Sequence, residues 1–248
     1  WYDTPRLLCQ LEIEYTDGST ELVVTDDSWK TTTGPLLHDA IFTGEEYDAR
    51  LELDGWNRNG YKDSSWKKAL LVRAPKGSLH AQLAPHEKIA WTLQPVSCEQ
   101  KDDSTYWYAF PEMISGWAHI KVQGNAGDRI KLRFVGEEKN DFGQVDLYTL
   151  RGSGVEQWEP RFTWHTFRYI EVISRQVRMN KESLIAKVVH TDPQPAGSFS
   201  CSNELFNKIN EVYLTFTAVS AVIARTGNGW LILETRRWSW KVLSYLSI

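Results

Sequence analysis

Cysteine is scarce. Cys9, Cys98 and Cys201 are the only three in 248 residues, widely spaced and odd in number, with no CxxC pair. That pattern excludes a disulfide framework and a cysteine-based metal site. Long apolar runs are missing too, and none approaches the roughly 18 residues that a membrane-spanning helix needs. Neither sign of charge dominates: 28 Lys and Arg stand against 32 Asp and Glu, a net charge of -4 with both signs interspersed. This balance argues against nucleic acid or a membrane surface as partner. No glycine-rich phosphate loop and no His/Glu metal spacing occurs, so no cofactor and no metal are expected. Asp102 with Asp103, and Glu137 with Glu138, lack the further ligands at set spacing that calcium requires. A signal-peptide pattern is also missing, but a chain that begins at Trp1 without Met says nothing by this about export.

What is plentiful is aromatic. Twelve Trp, ten Tyr and nine Phe accompany a mean hydropathy of -0.43. Such an excess suits β-sandwich cores, and it also suits proteins that stack sugar rings. Packing accounts for most of it, because buried aromatics dominate core energetics.

The residue pattern is that of strands. Cys9, Leu11, Ile13 and Tyr15 alternate with Gln10, Glu12 and Glu14; Asp17-Gly18 marks a turn, and Glu21 to Thr25 returns as partner strand. A lone hairpin is marginal in water, so this one either pairs with later strands or belongs to a sheet whose earlier strands are missing. Two similar pieces follow, Asp26-Asp27-Ser28-Trp29 and Asp63-Ser64-Ser65-Trp66, each with turn formers before a Trp. Ala74-Pro75-Lys76-Gly77 punctuates the chain as a domain boundary. Beyond it, Ala118, Ile120 and Val122, then a turn at Asn125 to Asp128, then Ile130, Leu132 and Phe134 read as an antiparallel hairpin, apolar inward. The run from Trp158 to Val172 reads as one long strand crowded with aromatic and cationic side chains. Another strand lies near Ile185 to Val189. After Asp192-Pro193-Gln194-Pro195 the period changes: Ser202 suits an N-cap, and Leu205, Ile209, Val212 and Phe216 recur at helical spacing.

Several segments, taken in order, resemble the bacterial α-L-rhamnosidases of glycoside hydrolase family 78. They are Gly44-Glu45-Glu46-Tyr47-Asp48-Ala49-Arg50, Asp63-Ser64-Ser65-Trp66-Lys67, Ser115-Gly116-Trp117, Tyr148-Thr149-Leu150-Arg151-Gly152, the Trp158 to Val172 run, and His190-Thr191-Asp192 followed by Gly197 to Ser202. The resemblance covers roughly residues 5 to 214. It implies a mainly β chain of antiparallel, jelly-roll-like sandwich domains followed by a short C-terminal helix. Residues 1–71 would be the last part of an accessory jelly-roll domain and 72–190 a β-sandwich of rhamnosidase type. Residues 191–217 would be a linker and the first helix of an (α/α)6 barrel that is itself absent. The family's chemistry is inverting hydrolysis of terminal α-L-rhamnosyl bonds by two carboxyls roughly 6.5–9.5 Å apart. Both come from that barrel. No catalytic residue is therefore assigned here, and the chain is expected to be inactive alone. The compartment stays open among bacterial cytoplasm, periplasm and secretion.

After its first helix the family usually shows Asp-Cys-Pro-His-Arg-Glu-Arg and, shortly after, Gly-Asp. The segment Ile223 to Thr235 does not match. With compatible codons, however, Val222 to Thr235 read one base over gives Asp-Cys-Pro-His-Arg-Glu-Arg-Met-Ala-Tyr-Pro-Gly-Asp. The expectation is a frameshift between Leu214 and Val222, with 218–248 an out-of-frame tail; a genuine divergent helix is the rival, and the encoding DNA decides.

Individual candidates are few. Glu45, Glu46 and Asp48 surround Tyr47, but neighbours along a strand point to opposite faces, so Glu45 and Glu46 cannot flank one bond. His165, between Trp164 and Phe167, reads as a core or hydrogen-bonding histidine. Of Trp56, Trp107 and Trp117, the loop residue Trp56 is the better sugar-stacking candidate, and Trp117 is expected in the core. A rhamnose-bearing glycan is the expected ligand if the chain is a carbohydrate-binding module. Self-association is expected through the surface that would dock the barrel.

Overall fold

The computed structural model describes residues 6–73, 86–137, 141–191 and 197–213. The boundary at Ala74 to Gly77, the Asp192 to Pro195 linker and everything from Leu214 onward, the out-of-frame tail included, lie outside these. The described residues form a mainly β structure with one short helix, α1, over 204–213. Their contacts divide into two units, one of residues 6–33 and 54–73, the other of 34–53, 86–137, 141–191 and 197–213.

In the first unit, β1 (Gln10–Glu14) and β2 (Thr20–Val24) pair antiparallel from Gln10 opposite Val24 to Glu14 opposite Thr20. Asp17 closes the turn by accepting the Ser19 N–H at 2.9 Å and its hydroxyl at 2.6 Å. Leu11 and Ile13 are half-buried while Gln10, Glu12 and Glu14 are exposed, as the alternation requires. Among the described residues no later strand joins this two-stranded sheet. The two Asp/Ser/Trp pieces are neighbours in space. In each, the Trp N–H reaches back to the Asp carbonyl (Trp29 to Asp26, 3.3 Å; Trp66 to Asp63, 3.0 Å). Each turn then feeds a two-residue strand, β3 (Lys30–Thr31) and β6 (Lys67–Lys68), and these two pair antiparallel.

The second unit is built on a ten-stranded sheet. Its path runs β4 (Leu36–Ala40), β5 (Gly44–Asp48), β11 (Asp141–Thr149), β10 (Arg129–Val135), β13 (His165–Ile173), β9 (Thr105–Gln123), β14 (Leu184–Thr191), β7 (Glu87–Leu93). Strands β8 (Ser97–Gln100) and β12 (Val155–Trp158) add to β9. All pairings are antiparallel except β5 with β11, which is parallel. The 19-residue β9 serves both ends of this curl: residues 105–116 pair with β13, and 116–123 pair with β14 and β12. Its change of course falls at Phe110 to Met113, where four residues on β9 oppose only Arg168. Proline cannot donate to a ladder, and such bulges are where it is tolerated. Inward side chains of strands β9 to β14 fill one core, among them Tyr108, Phe110, Ile120, Ile130, Leu132, Phe134, Trp158, Phe167 and Leu184. Each such buried apolar side chain contributes about 1.5–3 kcal/mol.

Four expectations are corrected here. Ala118 to Phe134 is not a hairpin. Strands β9 and β10 are separated by β13, so the turn at Asn125 to Asp128 arches between two parts of the curl. Alternation is the same for an arch and a hairpin, which is why the pattern could not distinguish them. The Trp158 to Val172 run is two strands, β12 and β13, in line along one edge of β9; between Trp158 and His165 the chain takes seven steps against four on β9, and the surplus loops out around Pro160. Trp117 is half-buried on the outward face, because its neighbours Gly116 and Ala118 take the inward positions. Asn203, not Ser202, caps α1, accepting the Leu205 N–H at 3.0 Å. Strands β4 and β5, in the portion that the sequence division counts as 1–71, lie in the large sheet.

Candidate functional site

The acidic cluster around Tyr47 folds as β5, and the strand sorts its members by face. Glu46 turns outward to an ion pair with Arg129 at 3.0 Å. Asp48 caps a short 3-10 turn, accepting the Arg50 N–H at 3.1 Å and gripping its guanidinium at 2.9 and 2.7 Å. The Arg50 hydrogen bonds outweigh burial and hold the Asp48 carboxyl below its ordinary value. Glu45 turns inward and is 1% exposed. The expected opposition of Glu45 and Glu46 is what the strand delivers.

Inside the curl, Glu45 meets two partners that come from distant chain segments. Its backbone N–H donates to Asp146 Oδ1 at 2.9 Å, and Asp146 Oδ2 lies 2.8 Å from His165 Nε2. Asp146 and His165 are fully buried. The imidazole stacks on Phe134, centroids 3.6 Å apart and planes 13° apart. The Glu45 carboxylate accepts the N–H groups of Arg161 and Phe162 at 2.9 and 3.0 Å through Oε2, while Oε1 has no partner. Burial pushes the Glu45 carboxyl up, aided by the charges of Asp146 and Asp39, and the two N–H groups only partly offset this. These bonds explain the interrupted run: Pro160 breaks the ladder, and Glu45 takes the N–H groups that the loop turns away from β9. His165 is thus the hydrogen-bonding core histidine expected of it. Asp146 was not a candidate; its signal was a lone acid on the parity of Tyr148, the inward face of β11.

The Tyr148 to Gly152 segment is organised the same way, by one carboxylate. Glu156 accepts the Tyr148 hydroxyl at 2.8 Å, the Arg151 N–H at 2.9 Å and the Gly152 N–H at 2.7 Å. Gly152 sits at φ 82°, and a Cβ there would lie 2.4 Å from the Ala126 nitrogen. Tyr148 stacks on both Tyr47 and Trp158, centroids 6.1 and 5.2 Å away, and those two rings are 6.2 Å from each other, so the three close a triangle. On the outward face, Glu159 accepts from His119 at 2.9 Å and pairs with Lys187. Burial alone would raise the Glu159 carboxyl, but Lys187 and His119 together hold it low.

The aromatic candidates separate by exposure. Trp56 is 61% exposed. It rides on two successive turns, Arg58 N–H to the Gly55 carbonyl at 2.9 Å and Tyr61 N–H to the Arg58 carbonyl at 3.3 Å, with Gly55 at φ 77° and Gly60 at φ 80°. Trp107 is half-buried against Tyr169, centroids 5.5 Å apart. Among the described residues no group of three or more His, Cys, Asp or Glu could hold a metal ion.

Residues 1–90 match the family model of the alpha-L-rhamnosidase N-terminal domain, and 99–190 match that of the bacterial alpha-L-rhamnosidase concanavalin-like domain. The chain is 30% identical to an alpha-L-rhamnosidase of Formosa agariphila over 226 residues, covering 85% of this chain and 24% of that protein. It is similar in fold to the alpha-L-rhamnosidase of Dictyoglumus thermophilum, with a TM-score of 0.77 at 39% identity over 84% of this chain and 25% of the other. A second solved relative, from Streptomyces avermitilis and complexed with L-rhamnose, gives a TM-score of 0.71 at 30% identity over 82% and 21%. The chain thus spans about a quarter of the length of the relatives it matches.

Proposed function

The chain belongs to the α-L-rhamnosidases of glycoside hydrolase family 78 through their N-terminal and concanavalin-like domains, and on that premise we propose that it is a non-catalytic β portion of such an enzyme. Its task is to support and dock the catalytic domain, and it does not hydrolyse rhamnosides alone. The observation that carries this reading is the commitment of the motif carboxylates. Glu45 is buried with Oε2 committed to the Arg161 and Phe162 N–H groups, and Glu156, beside the Tyr148 to Gly152 segment, spends both oxygens on the Tyr148 hydroxyl and the Arg151 and Gly152 N–H groups. Asp48 is locked to Arg50. An inverting pair must instead leave one acid and one base free on either side of a glycosidic oxygen. With an aryl α-L-rhamnoside as substrate, the purified 248-residue chain is expected to give no turnover above buffer. Robust release of the aryl group that follows the chain through purification would overturn the reading.

A second reading, a carbohydrate-binding module for rhamnose-bearing glycans, is favoured by one observation, the exposed indole of Trp56 on its double turn. Aromatic faces at such loops stack on sugar rings. Saturable binding of a rhamnosylated oligosaccharide by calorimetry, lost in Trp56→Ala, supports that reading; equal binding by both proteins removes Trp56 from it.

A further inference from the structure

The buried cluster of Glu45, Asp146 and His165 contains more charge than its surroundings can carry. The Glu45 carboxylate and the Asp146 carboxylate, which accepts the Glu45 backbone N–H, lie in one cluster at exposures of 1% or less, and Oε1 of Glu45 has no partner there. Like charges in so dry a place are costly, and one of them is removed most simply by a proton. The other elements packed around Glu45 bring little relief. Strand β4 places Asp39, a third carboxylate, opposite it. Strand β10 stacks the uncharged ring of Phe134 on the His165 imidazole of the cluster, and on Glu45's own strand Tyr47 is turned to Glu52. The loop supplies Arg161 as a backbone donor with its side chain exposed to solvent. Geometry also says which atom takes the proton. Oε2 already accepts two N–H groups and Oε1 has no partner, so a proton on Oε1 discharges the unsolvated oxygen and leaves both loop bonds intact.

We propose that Glu45 is a proton-operated latch: it takes up a proton in the folded chain that the unfolded chain releases, and so holds β5 to the 159–164 loop more firmly as pH falls from alkaline toward mildly acidic. This device is independent of whether the chain binds or cleaves a sugar. The direction in which burial moves the Glu45 carboxyl agrees with it. For a carboxyl raised on folding, the stabilisation is complete below the unfolded value and is lost as pH rises through the folded one.

The test is thermal unfolding of the full chain from pH 4.5 to 8, beside Glu45→Gln. Glutamine keeps an oxygen for the two N–H groups and cannot titrate. The unmodified chain is expected to lose Tm relative to the variant as pH rises, by about 3–5 °C per tenfold difference in proton affinity between folded and unfolded chain. Parallel curves for the two proteins would overturn the latch. If the glutamine variant does not fold, the side-chain carboxyl carbon of Glu45, followed by NMR in the unmodified chain, decides. A titration midpoint above the ordinary glutamate value supports the latch, and one at or below it refutes it.

Discussion

Glycine at position 44 shows how closely the residues of this site are fitted. Gly44 opens β5 at φ 101°, and a Cβ there would lie 2.0 Å from the Val145 carbonyl oxygen and 2.8 Å from Asp146 Oδ1. The close approach lets the Glu45 N–H reach the Asp146 carboxylate at the next position. Any larger side chain must either push β11 away or leave the left-handed region. Gly44→Ala is therefore expected to destabilise the chain by about 3 kcal/mol or more, adding left-handed strain to overpacking against backbone. Urea unfolding checks this: a midpoint within error of the unmodified chain would show that the β5–β11 contact is loose. Gly18, also at positive φ, would meet nothing within 4 Å on gaining a Cβ, so Gly18→Ala isolates the cost of the backbone conformation alone.

At the scale of elements, most strands were legible because their side chains alternate. Ile130, Leu132 and Phe134 are buried and Arg129 and Lys131 exposed, just as their order in the chain implies. What alternation cannot encode is which strand lies beside which. The pairing of β5 with β11 joins residues 101 apart through a buried Asp146 bond, and nothing near Glu45 announces that partner. The same limit hid the arch at Asn125 to Asp128, since its two strands carry the periodicity of a hairpin. The break in the Trp158 to Val172 run had a local signal in Pro160, but the residue that stabilises the loop, Glu45, is more than a hundred positions upstream. Trp56 was readable for the opposite reason. A Trp between glycine and asparagine in a turn-rich stretch owes its exposure to its immediate neighbours. The helix start was placed within one residue, because Ser202 and Asn203 are both good caps and only geometry selects between them.

For the whole molecule, the consequence follows from what α1 leaves uncovered. Leu205, Phe206, Ile209 and Val212 recur at positions that form one apolar stripe, and each is more than half exposed. The beginning of the helix is nonetheless well fixed. Asn207 accepts the Cys201 N–H at 2.9 Å and donates to the Cys201 carbonyl at 2.8 Å, so the stripe is presented on an ordered turn. On the proposed function this stripe is a docking face for the catalytic domain, and when the 248 residues are studied by themselves a second copy is the apolar surface most readily at hand. Exposed contiguous apolar surface of this kind drives association in water. Sedimentation velocity is expected to show the weight-average coefficient rising with concentration. In the double variant Leu205→Glu, Ile209→Glu that rise should flatten, while the thermal midpoint stays put, because both side chains already face solvent. A single monomeric boundary at every concentration would exclude the stripe as a self-docking face, and a rise unchanged in the double variant would move the interface elsewhere, with the open β1–β2 hairpin and its exposed Leu22 and Val24 the next surface to substitute.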